Sequence, residues 1–543
     1  MTERSGRGRS VAPVLTKVLG AAPIHPLLFF LYPVASLLAW NIQELYAGQA
    51  IRSVLVTLAG CLLVWGLLAM ITRDVRRAAI LTSLAGLLFF SYGHVYDSLG
   101  ELRSLGTQFA RHRYLVPTWV AVFLAASVLM TRKRASGRSI TPVLNVIGLA
   151  ALLMPLLSLG AFFSRAQTDD ARATRIPTVV LRPPADEPSP DIYYIILDGY
   201  ARSDTMAEAI GLDNSEFIAF LERQGFYVAT ESRSNHNWTS LSLASSLNMT
   251  LAQHLGANML PGYYPTPFID FIRHSLVRRS LMAIGYRTIG LQSGYLPTEW
   301  IDSDVYLGPA TDSLPSPKEG FRPNAFESML LDTTLLQPML SRLAGGFALE
   351  GTPTRNESYP YDVLRAIILS EFDHLAQSLP SDGPRLVFAH IVAPHGPYLF
   401  TATGEARNPE EPFTLMEAVD GSANAKDLYR DQAAYVTGRI QEVIQSILSN
   451  SDIPPVIILQ ADHGPGLGMG KDERTAILNA ILIREECLSM LYPSITPVNT
   501  FRVVFNCYFD SNLPLVEDEV YWSKWPREST YEFLLLPPER RQP

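Results

Sequence analysis

Residues 191–200 of the chain read DIYYIILDGY, an unbroken apolar run that ends in a polar turn. The run is rich in Ile and lacks the alternation of a half-exposed strand, so it predicts a strand buried on both faces. Leu386–Ile391 and Val456–Gln460 show the same pattern. Strands that alternate with amphipathic helices predict an α/β domain with a mostly parallel central sheet. The amphipathic segments between the runs are Asp204–Gln224, Phe268–Gly285, Tyr361–Leu379 and Asp427–Asn450.

Polar residues of similar chemistry follow the three predicted strands. Asp198 follows the first strand, His390 and His395 lie at the end of the second, and Asp462 and His463 follow the third. Sites in open α/β sheets form at the carboxyl ends of the strands, and carboxylates with imidazoles suit Zn²⁺ or Mn²⁺. The Asp462-His463 pair favours metal binding. Taken alone, Asp198 fits a turn or cap better, and either of the other histidines fits a ligand, a substrate contact or a buried hydrogen-bonded residue.

Thr239 lies where a polar turn becomes a predicted helix of small residues, in the segment 234–248 that reads SNHNWTSLSLASSLN. A helix N-terminus offers free N–H groups and partial positive charge, which suit an anion or a deprotonating hydroxyl. A metal ion can activate such a hydroxyl as a nucleophile. The local sequence by itself favours an ordinary helix cap.

Five apolar segments precede the α/β region. Each lacks Asp, Glu, Lys and Arg over the roughly 20 residues that a helix needs to cross the hydrocarbon of a bilayer. Five such segments in succession, joined by short charged loops, predict transmembrane helices, and their lack of charge disfavours a transporter. The segments are Val18–Gln43, Ser53–Thr72, Ala78–Tyr96, Tyr114–Thr131 and Ser139–Ser164.

The loop charges predict the orientation in the membrane. Arg and Lys concentrate in the N-terminus and in the second-to-third and fourth-to-fifth loops, which the positive-inside rule places in the cytoplasm. Three arginines in the longer third-to-fourth loop oppose this arrangement. The α/β domain is then expected outside the plasma (inner) membrane. The predicted domains are residues 1–17 as a cytoplasmic N-terminus, 18–164 as five transmembrane helices, 165–190 as a linker and 191–543 as the extracytoplasmic domain.

The composition excludes several classes of protein. The 543 residues include 44 Lys and Arg against 52 Asp and Glu, and this net charge of −8 argues against nucleic-acid binding. Three cysteines and no CxxC pair exclude a disulfide scaffold and a zinc ribbon. The predicted topology places Cys487 and Cys507 in an oxidising compartment. Whether they form a disulfide stays open.

Four motifs occur in one order along residues 190–510. They are Asp198-Gly199-Tyr200, a Thr that opens a helix (Thr239), Pro394-His395-Gly396-Pro397-Tyr398 and Asp462-His463-Gly464. In this the chain resembles the alkaline-phosphatase/sulfatase superfamily. With its apolar N-terminal region it is similar to the membrane branch, which includes lipoteichoic acid synthases and phosphoethanolamine transferases.

The resemblance implies an alkaline-phosphatase-like fold and one divalent metal ion (Mn, Zn or Mg). It implies that the metal ligands are Asp198, Thr239, Asp462 and His463, with Thr239 as the nucleophile. It further implies that His395, together with His390, contacts the transferred anionic group.

Two departures from the family pattern narrow the chemistry. No Cys or Ser opens a CxPxR-like motif, which disfavours sulfatases of the formylglycine type, and no histidine follows His463 to complete a two-metal site. We therefore expect a single-metal, Thr-dependent phosphoester transferase or hydrolase acting on lipid- or glycan-linked anionic esters of the cell envelope. Two alternatives stay open: a sulfatase-like hydrolase, and a non-catalytic partner in envelope assembly.

Overall fold

The computed structural model divides into two compact units. The membrane unit comprises residues 1–160 and 322–357, and the sheet unit comprises residues 161–321 and 358–543. The described residues are 22–42, 47–99, 111–132, 137–173, 176–184, 187–255, 268–310, 324–336, 359–379, 382–407, 424–524 and 532–538.

The secondary structure follows the predicted order of five apolar helices and then alternating strands and helices. The helices are α1 (His25–Asn41), α2 (Ile51–Thr72), α3 (Val75–Ser98), α4 (His112–Arg132), α5 (Gly137–Ala173), α6 (Ser215–Arg223), α7 (Thr239–Asn248), α8 (Ile269–Arg273), α9 (Leu276–Ala283), α10 (Ala325–Asp332), α11 (Tyr359–Leu375), α12 (Ala425–Asn450), α13 (Lys471–Thr475) and α14 (Pro497–Phe509). Short helical turns cover Ala47–Ala50, Ser203–Thr205, Met206–Ile210, Ala252–Leu255, Leu296–Thr298 and Glu485–Met490. The strands are β1 (Ile192–Leu197), β2 (Tyr227–Val228), β3 (Arg287–Leu291), β4 (Val305–Leu307), β5 (Arg385–Ile391), β6 (Val456–Gln460), β7 (Asn479–Leu482), β8 (Tyr521–Trp522) and β9 (Leu534–Leu535).

Helices α1–α5 coincide with the five predicted spans. Segments of α2–α5 are long and apolar enough to cross a membrane, while α1 has 17 described residues and residues 18–21 and 43 of its predicted span lie outside the described part. Leu55, Val56 and Leu63 on α2 are 62–64% exposed. Large apolar side chains exposed to this extent suit contact with lipid rather than water.

Helix α5 extends beyond the predicted fifth span. It runs to Ala173, although residues 165–190 are predicted as a linker without helical periodicity. Residues 165–173 read RAQTDDARA and contain neither Pro nor Gly. A helix that is already nucleated propagates through such residues at little cost, so the helix continues into the predicted linker.

Helix α10 belongs to the membrane unit although it follows β4 in sequence. Phe326 and Leu330 pack in one apolar cluster with Phe30, Val34 and Phe90. Asn324 and Glu327 form a capping box at its N-terminus, and Glu327 pairs with Arg52. The 324–336 segment is therefore fixed to the membrane unit by both apolar packing and an ion pair.

The sheet unit is built on seven strands in the order β2-β7-β6-β1-β5-β3-β4. Strand β1 pairs in parallel with β5 and with β6, while β7 runs antiparallel to both of its neighbours. This confirms the predicted α/β class with a mostly parallel sheet. Strands β8 and β9 form a separate two-stranded sheet.

Strand β1 is buried on both faces, as its sequence predicts. Tyr193, Ile195 and Leu197 pack in a cluster with side chains of α11 and α12. The alternate residues, Ile192, Tyr194 and Ile196, pack in a second cluster with side chains of α7 and α14. The period-2 geometry of a strand thus sends three apolar residues into each of two helical layers.

Two helices that the sequence predicts as continuous are interrupted in the structure. Gly211, with φ of +79°, ends the first turn of the predicted helix 204–224. Ser275 divides the segment 268–285, because its side chain caps α9 by accepting a hydrogen bond from Arg278 N.

Cys487 and Cys507, whose pairing the sequence leaves open, form a disulfide with a Cα–Cα separation of 5.9 Å.

Candidate metal centre

The site lies at the carboxyl ends of three neighbouring strands. Ile196 of β1 pairs with His390 of β5 and with Gln460 of β6. The residues that follow β1 and β6, Asp198 and the Asp462-His463 pair, are therefore brought to the same edge of the sheet. The parallel pairing of the central strands produces this convergence of residues that are far apart in sequence.

Asp198, Asp462 and His463 form one buried cluster, and a ligand atom of each lies within 4.8 Å of the others. The Nε2 atom of His463 lies 3.6 Å from Asp198 Oδ1 and 3.3 Å from Asp462 Oδ2. All three side chains are nearly inaccessible to solvent. This places two carboxylates and an imidazole nitrogen around one point.

Each carboxylate of the cluster has one engaged oxygen and one that is left over. Asp462 Oδ1 accepts a hydrogen bond from Gly199 N at 3.1 Å, and Asp198 Oδ2 lies 3.3 Å from His390 Nε2. Asp198 Oδ1 and Asp462 Oδ2 are buried and have no hydrogen-bond partner among the described residues. Buried polar atoms are normally paired, so two such oxygens beside one imidazole fit a bound cation.

The tautomer of His463 suits metal ligation. Its Nδ1 lies 2.9 Å from Gly464 O, and because a carbonyl can only accept, Nδ1 carries the proton. The lone pair is then on Nε2, which faces the carboxylates. Histidine ligands commonly donate their second N–H to a backbone carbonyl in this way.

Thr239 is brought into the same cluster as the first residue of α7. Trp238 occupies the cap position, so the alternative interpretation of Thr239 as the helix cap does not describe its place. Thr239 Oγ1 lies 3.2 Å from His463 Nε2. The hydroxyl therefore faces the same nitrogen as the two carboxylates, at the positive end of a ten-residue helix.

The two remaining predicted histidines both lie next to Asp198. His390 is fully buried, and its Nδ1 lies 2.9 Å from Thr298 Oγ1 while its Nε2 faces Asp198. His395 is half-buried, and its ring centroid lies 6.0 Å from that of His463. The structure thus brings all six predicted residues together, with His390 behind a carboxylate and His395 on the more open side.

The imidazoles control the charge of Asp198. Burial by itself would raise the pKa of this carboxyl, but His395, His390 and His463 together hold the pKa well below its ordinary value. Asp198 is therefore ionised at neutral pH. Two carboxylates, an imidazole and a hydroxyl are a donor set that fits a divalent cation such as Zn²⁺ or Mn²⁺.

Arg474 and Thr298 belong to the site, but neither lies in a motif that the sequence reveals. Arg474 Nη2 lies 3.1 Å from His463 Nε2, and Thr298 holds His390 as described above. Arg474 lies in the charged run KDERT of α13, which reads as a solvated helix. Its sequence gives no signal that it is buried beside a metal centre.

No family model matches this chain, and no curated protein matches it. Among solved structures it matches the C-terminal periplasmic domain of EcEptC from Escherichia coli in complex with Zn, at 10% identity and a TM-score of 0.38, covering 65% of this chain and 95% of that one. It matches the integral membrane protein lipooligosaccharide phosphoethanolamine transferase A from Neisseria meningitidis at 13% identity and a TM-score of 0.38, covering 93% and 96%. It also matches BT1596, a 2-O GAG sulfatase, at 11% identity and a TM-score of 0.36, covering 63% and 78%.

These matches are phosphoethanolamine transferases and a sulfatase, the kinds of protein that the sequence motifs resemble.

Proposed function

We propose that this chain is a membrane-bound, metal-dependent phosphoester transferase or hydrolase that uses Thr239 as its nucleophile. One observation carries the proposal. Thr239 Oγ1 lies 3.2 Å from His463 Nε2, the atom that also faces the unpartnered oxygens of Asp198 and Asp462. The substrate class is a lipid- or glycan-linked anionic ester of the cell envelope.

Asp198, Asp462, His463 and the hydroxyl of Thr239 are the residues that would hold one divalent ion. Such an ion lowers the pKa of a coordinated hydroxyl and neutralises charge on phosphoryl oxygens. The positive end of α7 favours the deprotonated form of Thr239 in the same way. The chain's own contribution is to hold these donors in place and to keep most water away from them.

The reaction proceeds in two displacements. The Oγ1 atom of Thr239, having lost its proton to solvent, attacks phosphorus, and the bond from phosphorus to the leaving oxygen breaks with its electron pair on that oxygen. His395, on the open side of the site, donates a proton to the leaving oxygen. In the second step the oxygen of water or of an acceptor hydroxyl attacks phosphorus and gives its proton to His395, while the bond from phosphorus to Oγ1 breaks and Oγ1 takes a proton from solvent.

Two features support an extracytoplasmic location of the site. The segment 324–336, which follows β4 in sequence, contacts Gln49 and Gly93, and the loop charges place both of these at the outer ends of the spans. The Cys487–Cys507 disulfide suits an oxidising compartment outside the cytoplasm. We therefore assign the chain to the plasma (inner) membrane as a multi-pass protein.

The alternative function is hydrolysis of a sulfuric ester. A sulfuryl group presents the same anionic oxygens to the metal centre, and the donor set does not distinguish the two groups. The ester that the protein cleaves therefore decides between phosphoester and sulfuric ester chemistry.

The test uses the full chain purified in detergent, together with a Thr239→Ala variant. Both are stripped of metal, reloaded with Mn²⁺ or Zn²⁺, and assayed on chromogenic phosphodiester, phosphomonoester and sulfate ester substrates. We expect metal-dependent cleavage of a phosphoester that falls by at least about 10⁴-fold in the variant, because the nucleophile is lost. Ser245→Ala is the matched control, since its buried hydroxyl donates to Leu241 O inside the same helix.

Each other result has a definite meaning. Equal turnover by the Thr239→Ala variant rejects Thr239 as the nucleophile. Preference for the sulfate ester favours the alternative function. A folded full chain that does not bind metal supports a non-catalytic role in envelope assembly.

His395 provides a second prediction. We expect His395→Ala to lower kcat by about 10²- to 10³-fold, the usual contribution of a general acid, while the metal affinity stays unchanged. Steady-state kinetics and a calorimetric metal titration measure the two quantities. A loss of metal affinity in this variant would instead identify His395 as a ligand.

A further inference from the structure

The buried guanidinium of Arg474 lies in the same cluster as Thr239. None of the sequence motifs includes this arginine. Arg474 is 7% exposed, and its Nη2 lies 3.1 Å from His463 Nε2. Thr239 Oγ1 approaches the same nitrogen at 3.2 Å. The guanidinium and the hydroxyl therefore meet at one point of the site.

Arg474 is held in this position by the backbone. Its Nε donates to Asn237 O at 3.2 Å and its Nη1 to Gly464 O at 3.1 Å. Its guanidinium carbon lies 5.7 Å from the ring centroid of Trp238. The side chain is thus fixed between the residues that precede the nucleophile and the residue that follows His463.

Gly464 allows this close approach. A Cβ at this position would lie 2.1 Å from Glu473 O and 2.9 Å from Ala476 O, so no larger residue fits without moving the backbone of α13. Gly464 N also donates to Arg474 O at 2.7 Å. The segment that carries His463 and the helix that carries Arg474 are therefore locked together.

The contact between Arg474 and His463 cannot persist when His463 binds a cation. Nε2 has a single lone pair, because Nδ1 carries the proton. If that lone pair were bound to a metal ion, the N–H of Arg474 that now contacts Nε2 would need another acceptor, and a nearby positive charge would make an anionic oxygen the favoured one. The fixed backbone contacts keep the guanidinium beside Thr239 while this exchange takes place.

We propose that Arg474 donates to a non-bridging oxygen of the phosphoryl group bound at Thr239. Arg474 thereby supplies a second positive charge at the site, in addition to that of the proposed divalent ion. This assignment rests on the proposed function, since it requires a phosphoryl group at Thr239. Arg474 is a catalytic residue in this sense, because it contacts the group that is transferred.

The test compares three variants of the full chain in detergent: Arg474→Gln, Arg474→Lys and Arg233→Gln. Arg233 is also 7% exposed, and it contacts α13 through Asp472 and Thr475. Its replacement is therefore a matched control for the loss of a buried arginine that packs at that helix. For each protein we would measure the affinity for Mn²⁺ alone, and then the affinity for inorganic phosphate in the Mn²⁺-loaded form, both by calorimetry.

For Arg474→Gln we expect phosphate affinity to fall by about 10- to 100-fold, the usual value of a charge-assisted hydrogen bond. Metal affinity should stay the same or become tighter, because a positive charge next to the ligand is removed. A purely structural role would weaken both affinities together. Arg474→Lys should recover part of the phosphate affinity through its charge, without the fixed geometry of the guanidinium.

Unchanged phosphate affinity in Arg474→Gln overturns the proposal, as does an equal loss in Arg233→Gln. Parallel loss of metal and phosphate affinity in Arg474→Gln also overturns it. Turnover of the ester panel separates this failure from that of the proposed function. If the metal-loaded native chain cleaves a phosphoester and Arg474→Gln cleaves it equally well, only the role of Arg474 is rejected. If the native chain cleaves no phosphoester and binds no phosphate, both proposals are rejected.

Discussion

Two pairs of buried carboxylates lie in the sheet unit. The groups around each pair shift the pKa of one of its members, and they do so in opposite directions. Asp198 of the first pair is surrounded by three imidazoles that hold its pKa well below its ordinary value. Glu371 of the second pair is fully buried, and burial together with repulsion from Glu299 raises its pKa well above the ordinary value. The surroundings of the first carboxyl therefore favour its anionic form, and those of the second favour its protonated form.

The hydrogen bonds of the second pair agree with this difference. Glu299 accepts from Gly294 N at 2.8 Å and from the Tyr306 hydroxyl, while neither oxygen of Glu371 has a hydrogen-bond partner among the residues that the structure describes. His390 is close to both pairs, since its side chain faces Asp198 and its backbone lies near Glu371. Burial alone thus does not make a metal site, because the sign of the neighbouring charges decides what a buried carboxyl can bind.

The largest effect should come from removing one charge of the first pair. We expect Asp462→Asn to weaken Mn²⁺ or Zn²⁺ binding by more than about 100-fold, since changes outside the ligands alone cost 10- to 100-fold. The amide oxygen can still accept from Gly199 N, so the fold should persist. Calorimetric metal titration with a thermal melt measures both properties. Native-like affinity in a folded variant would exclude Asp462 as a ligand.

A smaller effect should follow from changing the histidine between the pairs. We expect His390→Gln to weaken metal binding by about 10-fold, because the variant no longer favours the anionic form of Asp198. KM should change little if His390 acts through Asp198. The contrary result, a raised KM with native metal affinity, would assign His390 to direct contact with the substrate.

The smallest effect should come from the second pair. Glu371→Gln replaces a carboxyl whose surroundings favour its protonated form by a neutral amide of similar shape, so metal affinity should stay within about 3-fold of native, in contrast to the Asp462 variant. A loss as large as that of Asp462→Asn would show that the second pair also holds the cation.

The pH dependence of stability gives the same variant a second readout. A carboxyl with a raised pKa in the folded state stabilises the fold fully at low pH, and that contribution is lost as pH rises above its ordinary value near 4.5. We therefore expect the Tm of Glu371→Gln relative to native to increase between pH 5 and pH 8. A difference in Tm that is flat with pH would contradict a protonated Glu371.

The strands that build the site could be read from the sequence, whereas the contacts that tune it could not. Strands β1, β5 and β6 are nearly continuous apolar runs, so burial on both faces is a local property. Arg474 and the Glu299–Glu371 pair are ordinary polar residues in sequence, and only the packing of distant segments buries them. Short edge strands such as β2 and β4 carry too few residues for a periodic signal.

The same reasoning explains the segment 324–336. Its helix α10 has apolar residues and a capping box, which indicate a helix but not the unit to which it belongs. Its position depends on partners nearly three hundred residues earlier, such as Arg52. Information of that kind lies in the pairing of surfaces and not in any local pattern.

The place of α10 in the membrane unit has a practical consequence for the preparation of the protein. A soluble fragment that begins after the last membrane helix would retain Phe326 and Leu330 but lose Phe30, Val34 and Phe90, against which they pack. Glu327 would also lose Arg52. Such a fragment would expose the apolar face of α10 to solvent. It is expected to self-associate unless residues 322–357 are replaced by a short polar loop.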